Sequence, residues 1–317
     1  MTARILHASE ADFPARTLVS PDRRLDATFL PTLNMLCTSL VHDGEQLLHL
    51  RAGIAAYAER AKTCGIPFLH PWANRLSGDT YEACGARVDL STDGEAGARV
   101  ARDANGLPNH GLLGGRTPWE ITSETSSATA ALLTARFRFE SPALLASFPF
   151  PHDVTMRISL SSAELAVTTT IEATSERPVP VSFGYHPYFQ LPGIRRESWI
   201  VELPVRRRLV LDARSIPTGE MEDVTIPRAP LAGRTYDDGF TGIIPPGVFA
   251  IEGGGRRIEV ELAEGYPYVQ IFAPAGAEFF CIEPMTAPAN ALGAGRGFPV
   301  AERGRPFEAT FRVRVLG

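Results

Sequence analysis

The sequence predicts an all-β protein built mostly from antiparallel strands, and three observations carry that expectation. The 317 residues include 28 Gly and 26 Pro, an excess that suits many turns between short strands better than a few long helices. Several segments alternate apolar and polar residues with a period of two, most clearly between Thr129 and Ile171. Between those segments there is no strong amphipathic helical pattern, which disfavours a βαβ architecture. The apolar fraction of 44% and charged fraction of 21% are those of a globular chain with a sizeable core. No internal repeat or low-complexity linker divides it, so residues 1–317 are read as a single domain.

In chain order, residues 22–30 and 35–41 read as strands, and His42-Asp43-Gly44-Glu45 as the turn that follows. Pro67 and Pro71 exclude a helix interior from 65–78, so that segment is extended and irregular. It ends on Asn74-Arg75, an amide and a guanidinium suited to hydroxyl groups or, read structurally, a solvated loop end. Residues 79–106 are polar and Gly-rich, as expected of a hairpin and loop. His110 precedes Gly111, which suits a tight turn whose backbone a ligand can approach. Strands are expected at 131–139, 154–160 and 165–171, as a meander in a large sheet. Arg206-Arg207-Arg208 reads as a solvated turn on an acidic chain, and 212–235 as a long loop.

Three later stretches carry the candidate chemistry. Ser182 to Phe189 reads as the end of a buried strand, then His186, then a proline that stops the strand. Histidine titrates in the neutral range, and the aromatic residues around it could wall a sugar site; a hydrogen-bonded core histidine would read the same way. Tyr236-Asp237-Asp238-Gly239-Phe240 places two carboxylates beside a turn glycine. Gln270 sits among apolar residues in 268–272, and Glu283 follows four apolar residues and precedes Pro284. Burial at such a strand end raises a carboxyl pKa and suits it to general acid or base work.

The net charge of −5 argues against nucleic acid or an anionic membrane as partner. Cys37, Cys64, Cys84 and Cys281 are scattered, with no close pair to suggest a zinc or redox site. No signal-peptide core opens the sequence and no apolar run is long enough to span a bilayer. The expectation is a cytoplasmic protein with reduced thiols.

Taken together, Asn74-Arg75, His110-Gly111, Gly184-Tyr185-His186-Pro187-Tyr188-Phe189, Asp237 in Asp-Asp-Gly-Phe, Gln270 and Glu283-Pro284-Met285-Thr286 make the chain resemble the aldose 1-epimerase (galactose mutarotase-like) family. The pieces come in the family's order and span roughly residues 65–292. The resemblance implies a large, mostly antiparallel β-sandwich, a supersandwich with the sugar in a cleft on its concave sheet. It implies interconversion of the α and β anomers of a free aldose without cofactor or metal. By the family pattern, Glu283 takes the proton from the C1 hydroxyl and His186 protonates the ring oxygen. His110 lies near that oxygen, and Asn74, Arg75, Asp237 and Gln270 hold the sugar hydroxyls.

Asp238 competes with Asp237 for the binding role, since neighbours on a strand face opposite ways. His70 has no family role and is read as structural. The implied partner is a monosaccharide, with no nucleic acid or membrane, and the protein is expected as a monomer or homodimer. Other readings stay open: a hexose-6-phosphate mutarotase, with Arg51, Arg60 or Arg116 as phosphate ligands, or a non-catalytic sugar-binding or regulatory protein on the same fold. A glycoside hydrolase would want two opposed carboxylates, which a carboxylate–histidine pair does not supply.

Overall fold

The protein is described by a computed structural model over residues 2–91 and 100–317. Among the described residues, the strands pair antiparallel in two large sheets, a five-stranded one and two two-stranded ones. The nine-stranded sheet runs, in spatial order, through Ala229–Pro230, Ile200–Glu202, Val248–Gly253, Arg256–Glu264, Phe307–Leu316, Leu165–Ala173, His152–Ser161, Ala130–Phe139 and Glu120–Ser126. The meander expected between Thr129 and Ile171 is its far half, with Ala131 opposite Leu160 and Val154 opposite Ile171. The eight-stranded sheet runs through Pro217–Asp223, Arg207–Leu211, Tyr236–Thr241, Tyr268–Ala273, Phe280–Met285, Gly184–Tyr185 and Phe68–Leu69, with Tyr188–Phe189 also on Phe280–Met285. Residues Arg4 to Gln46 form a five-stranded antiparallel sheet.

The three largest sheets turn an apolar face to one core. Met156, Ile158 and Leu160 come from the nine-stranded sheet, Phe240, Ile271 and Ile282 from the eight-stranded one, and Leu18, Phe29 and Leu40 from the third. Period-two alternation is what lets each sheet do this. The strand His152–Ser161, for example, buries Val154, Met156, Ile158 and Leu160 while its alternate residues stay partly open. Among the described residues, no helix is long and apolar enough to cross a membrane.

Several sequence expectations need correction. Arg207 and Arg208 do not sit in a turn but open the strand Arg207–Leu211, where Arg208 pairs with Glu222 at 2.7 Å. The strand is paired on both sides, and its charge is tolerated because Arg208 finds a carboxylate on each neighbouring strand, Glu222 on one and Asp238 on the other. The loop expected at 212–235 contains the edge strand Pro217–Asp223 and the short strand Ala229–Pro230. Two short helices were not anticipated. Gly53–Arg60 buries Ile54, Ala56, Tyr57 and Ala58, and it ends on Ala61 at φ 52. Pro142–Ser147 starts on a Ser141 cap that accepts from the Leu144 amide, with proline in the first turn, a legible start signal. The hairpin expected within 79–106 is Thr80–Ala83 with Ala86–Asp89; residues 92–99 of that stretch lie outside the described residues.

His70 is 3% exposed and lies against Phe68, its ring nearly parallel at 14°. Its Nε2 is 2.7 Å from His152 Nε2. His152 Nδ1 lies 2.6 Å from the Phe150 carbonyl and must donate to it, so His152 Nε2 accepts and His70 Nε2 carries the proton. This neutral pair ties the 67–75 segment to the nine-stranded sheet.

Candidate active site

One face of the eight-stranded sheet and two loops meet in a cleft of about 880 Å³, within the size range of small-molecule sites. Side chains alternate along the central strands. Phe240, Val269, Ile271, Phe280 and Ile282 belong to the core, so Asp237, Gln270, Phe272, Cys281 and Glu283 share the opposite face. Register then arranges them in rows. Asp237 stands opposite Phe272, which stands opposite Cys281, which stands opposite Tyr188. In the adjacent row, Gly239 stands opposite Gln270, and Gln270 opposite Glu283.

His186 completes this second row. Gly184 pairs with Met285 and Tyr188 with Cys281, a single register broken between the two pairs. The break falls where Pro187 on one strand and Pro284 on the other have no N–H to donate. Within it, the His186 amide donates instead to the Pro67 carbonyl at 3.2 Å. Continuing the register puts His186 opposite Glu283, and the two side chains meet with Nε2 3.2 Å from Oε1. Pro284 does not end its strand, as the sequence suggested: Phe280–Met285 runs through it, and Glu283 is a mid-strand residue beside an opened ladder.

Both members of the pair are buried, His186 at 6% and Glu283 at 2% exposure. Their contact is close but not aligned as a hydrogen bond: Glu283 Oε1 has no hydrogen-bond partner, nor does His186 Nδ1 or His110 Nδ1. Burial pushes the Glu283 carboxyl well above its usual range, Asp237 adds to this, and Arg75 opposes it. Burial, then His110 and Arg51, hold the His186 imidazole well below 6.5. Both shifts favour uncharged forms, so one proton is shared between a carboxyl and an imidazole. Tyr188 lies flat against His186, ring centroids 4.4 Å apart at 7°. The Tyr188 hydroxyl is in turn bonded to Thr63 Oγ1 at 2.7 Å and accepts from Arg51 at 3.1 Å.

The loops supply the rest. Asn74 and His110 both adopt left-handed backbone, at φ 59 and φ 61, and the His110 amide donates to the Asn74 carbonyl at 3.0 Å. Asn74 Oδ1 accepts from the Arg75 amide at 2.8 Å and from its guanidinium at 3.2 Å. Asp103 takes the Arg75 Nε at 2.9 Å. The His110 ring meets His186 edge-on at 5.6 Å, and burial drives its pKa down to about 3, with Arg75 and Arg51 adding to the shift. Gln270 Nε2 donates to Asp237 Oδ1 at 2.8 Å. Asp237 thus faces the cleft, whereas Asp238 points the other way, 3.5 Å from Arg208.

All seven candidates from the sequence, Asn74, Arg75, His110, His186, Asp237, Gln270 and Glu283, line this cleft, and His70 does not. Arg51, Arg60 and Arg116 line it as well. Sequence reasoning missed the residues that hold the liners in place. Asp103 lies in a polar loop, and Asn290 ties down the 75–77 segment through bonds to the Arg75 carbonyl and the Ser77 amide, each 2.8 Å. Neither carries a sequence signal beyond its residue type.

The histidine shifts predict acid lability. A histidine kept neutral by burial binds fewer protons in the folded than in the unfolded chain. Its stability contribution is therefore intact above 6.5 and is lost as pH falls toward the folded value, about 4 for His152 and about 3 for His110. Glu283 works in the opposite sense, since its raised pKa favours folding below 4.5, but six histidines are depressed by burial: His42, His49, His70, His110, His152 and His186. For His110 and His152 the cost is of order 2 kcal/mol each at pH 5. Thermal melts should show the midpoint dropping by roughly 5 °C or more between pH 7.5 and pH 5; a pH-independent midpoint would contradict these assignments.

Comparison with known proteins agrees with this architecture. A family model for aldose 1-epimerase matches residues 37–314. No curated protein matches the sequence. Among solved structures, the chain is similar to a galactose mutarotase-like protein from Clostridium acetobutylicum, with a TM-score of 0.85 and 19% identity over 99% of this chain and 98% of that one. It is also similar to galactose 1-epimerase from Lactobacillus acidophilus NCFM (TM-score 0.75, 15% identity, 99% and 98% covered). An aldose epimerase homologue from C. elegans gives a TM-score of 0.71 at 14% identity, again with 99% and 98% covered. At such identities these likenesses speak for the fold. The family match extends over most of the chain and includes every cleft-lining candidate: the chain belongs to the aldose 1-epimerase family.

Proposed function

We propose that the protein is a mutarotase that interconverts the α and β anomers of an aldose. The observation that carries this reading is the His186–Glu283 pair, two buried ionisable groups 3.2 Å apart with unmet hydrogen-bonding atoms, lining one cleft. Ring opening needs a base at the C1 hydroxyl and an acid at the ring oxygen. Glu283 as carboxylate takes the hydroxyl proton while imidazolium His186 gives its proton to the ring oxygen. The bond from C1 to the ring oxygen breaks and C1 becomes an aldehyde carbon.

Opening leaves Glu283 protonated and His186 neutral, the form that burial favours for both. Rotation about C1–C2 presents the other face of the carbonyl. Closure then runs the two transfers in reverse, and no proton is gained or lost over the cycle. Arg75 favours the carboxylate form of Glu283 that the closed sugar requires. Asp237, Gln270, Asn74 and Arg75 hold hydroxyl groups, and His110 stands beside His186 near the ring oxygen.

A phosphorylated aldose is favoured as substrate by the charge of the cleft. Arg51, Arg60, Lys62, Arg75, Arg102 and Arg116 line it against Glu59, Asp103, Asp237 and Glu283, the last driven toward its neutral form. This cationic excess on a chain of net charge −5 suits an anionic substituent. Polarimetry from pure α anomers should give kcat/KM for glucose 6-phosphate at least about tenfold above that for glucose, a gap that narrows with salt. Equal values would leave the neutral aldose as substrate. Tight binding without faster anomer exchange on any sugar would point to a sugar-binding protein instead.

A further inference from the structure

Cys281 is a buried thiol that the proposed reaction does not use. It lies two residues before Glu283 on the same strand face and directly opposite Tyr188. One ring nitrogen of His186, the Cys281 sulfur and one carboxylate oxygen of Glu283 all lie within 4.8 Å of one another. We infer that these three side chains form an inhibitory site for a soft divalent cation of the zinc type, which blocks the cleft by occupying its two ionisable groups.

The donor set is the mixed N, S, O set that zinc accepts. Tetrahedral zinc wants donors about 3.3–3.5 Å apart, and His186 Nε2 to Glu283 Oε1 is already 3.2 Å. The sulfur lies within the 4.8 Å span, so meeting that geometry takes an approach of at most about 1.5 Å, within the reach of side-chain rotation. Glu283 Oε1 is buried with no hydrogen-bond partner, so a cation costs it no existing bond. Thiolate, carboxylate and a divalent cation sum to zero charge, which suits a buried position better than an unpaired ion. His186 and Glu283 line the cleft, giving the ion an entry path and leaving the fourth position to water. No sequence spacing betrays the site, because only the register across the proline gap brings His186 to the other two.

The ligation does not depend on the mutarotase reading, and cobalt serves as the probe. Tag-free protein washed with chelator and titrated with Co²⁺ should bind one equivalent, give the near-ultraviolet absorption of a thiolate–cobalt bond, and release the cobalt to Zn²⁺. Cys281→Ala should lose that absorption, and Zn²⁺ should inhibit its anomer exchange at least about tenfold less potently than that of the parent protein. Its uninhibited rate should stay within about twofold, since Cys281 is not among the residues that line the cleft. Glu283→Gln, which does not rely on the Cys281 variant folding, should keep the thiolate absorption while binding Co²⁺ at least about tenfold more weakly. Cobalt bound without thiolate absorption, absorption that survives in Cys281→Ala, or no binding at millimolar Co²⁺ would each overturn the proposal. If the protein proves to have no anomerase activity, the cobalt spectrum still decides the question.

Discussion

Glu283→Gln should lower anomer exchange by about 10²–10⁴-fold, the contribution of one positioned proton-transfer group, while sugar affinity changes by no more than a few fold. Glutamine keeps the shape and the hydrogen-bonding reach of the carboxyl but cannot take the hydroxyl proton. The variant should also fold at least as well as the parent. The parent carboxyl is 2% exposed with one oxygen unpartnered, and a neutral amide there avoids the desolvation that raises the Glu283 pKa. His186→Asn should show a loss of the same order, because ring opening needs the base at the C1 hydroxyl and the acid at the ring oxygen together. Stopped-flow polarimetry with circular dichroism as the folding control reads both effects. A folded Glu283→Gln protein with full turnover would remove Glu283 from the reaction.

Gly111→Ala should be the most damaging change outside the pair. Gly111 sits at φ 74, and a Cβ there would meet the His70 carbonyl oxygen at 2.2 Å and its carbon at 2.4 Å. Both are backbone atoms, and that carbonyl already accepts from the Leu112 and Leu113 amides, so nothing nearby can yield cheaply. Left-handed backbone alone costs a residue with a Cβ about 1–2 kcal/mol, and the clash must force the 109–113 and 70–75 segments apart as well. Since those segments carry Asn74, Arg75 and His110, the expected result is a stability loss of at least about 2 kcal/mol and a fall in kcat/KM of about a hundredfold. Gly106→Ala is the control: its φ of 76 imposes the same backbone strain, but no atom lies within 4 Å of the added carbon. It should lose about 1 kcal/mol and keep its activity. Denaturant melts and rates that fail to separate the two variants would contradict the account of Gly111.

The fold class was legible because sheet alternation is a local pattern. The meander from Thr129 to Ile171 shows it most clearly, with Val154, Met156, Ile158 and Leu160 spaced by two and buried together. The charged strand Arg207–Leu211 was not legible, since its arginines find their carboxylate partners, Glu222 and Asp238, only across the sheet, on strands that the local sequence does not bring together. The helix Gly53–Arg60 is too short for its periodicity to stand out.

Within the site, residue types and motifs pointed to all seven cleft-lining candidates. What they did not reveal was the placement. The likeness between His186-Pro187 and Glu283-Pro284 suggested two strand ends. In the structure both prolines fall in one gap of the same ladder, Pro187 on one strand and Pro284 on the other, and the histidine and the glutamate meet within it. Choosing Asp237 over Asp238 likewise required the register with Phe272 and Ile271, which no single segment encodes.

Anomer exchange at equilibrium tests the central claim most directly. With glucose, galactose and their 6-phosphates at equilibrium, two-dimensional exchange NMR of the anomeric protons reads the α-to-β rate without any coupled enzyme. The account predicts that catalytic amounts of the protein accelerate exchange of at least one of these sugars far above the buffer rate, and that Glu283→Gln lowers that acceleration by about 10²–10⁴-fold. Exchange no faster than buffer for every sugar, with the protein folded and binding one of them, would contradict it.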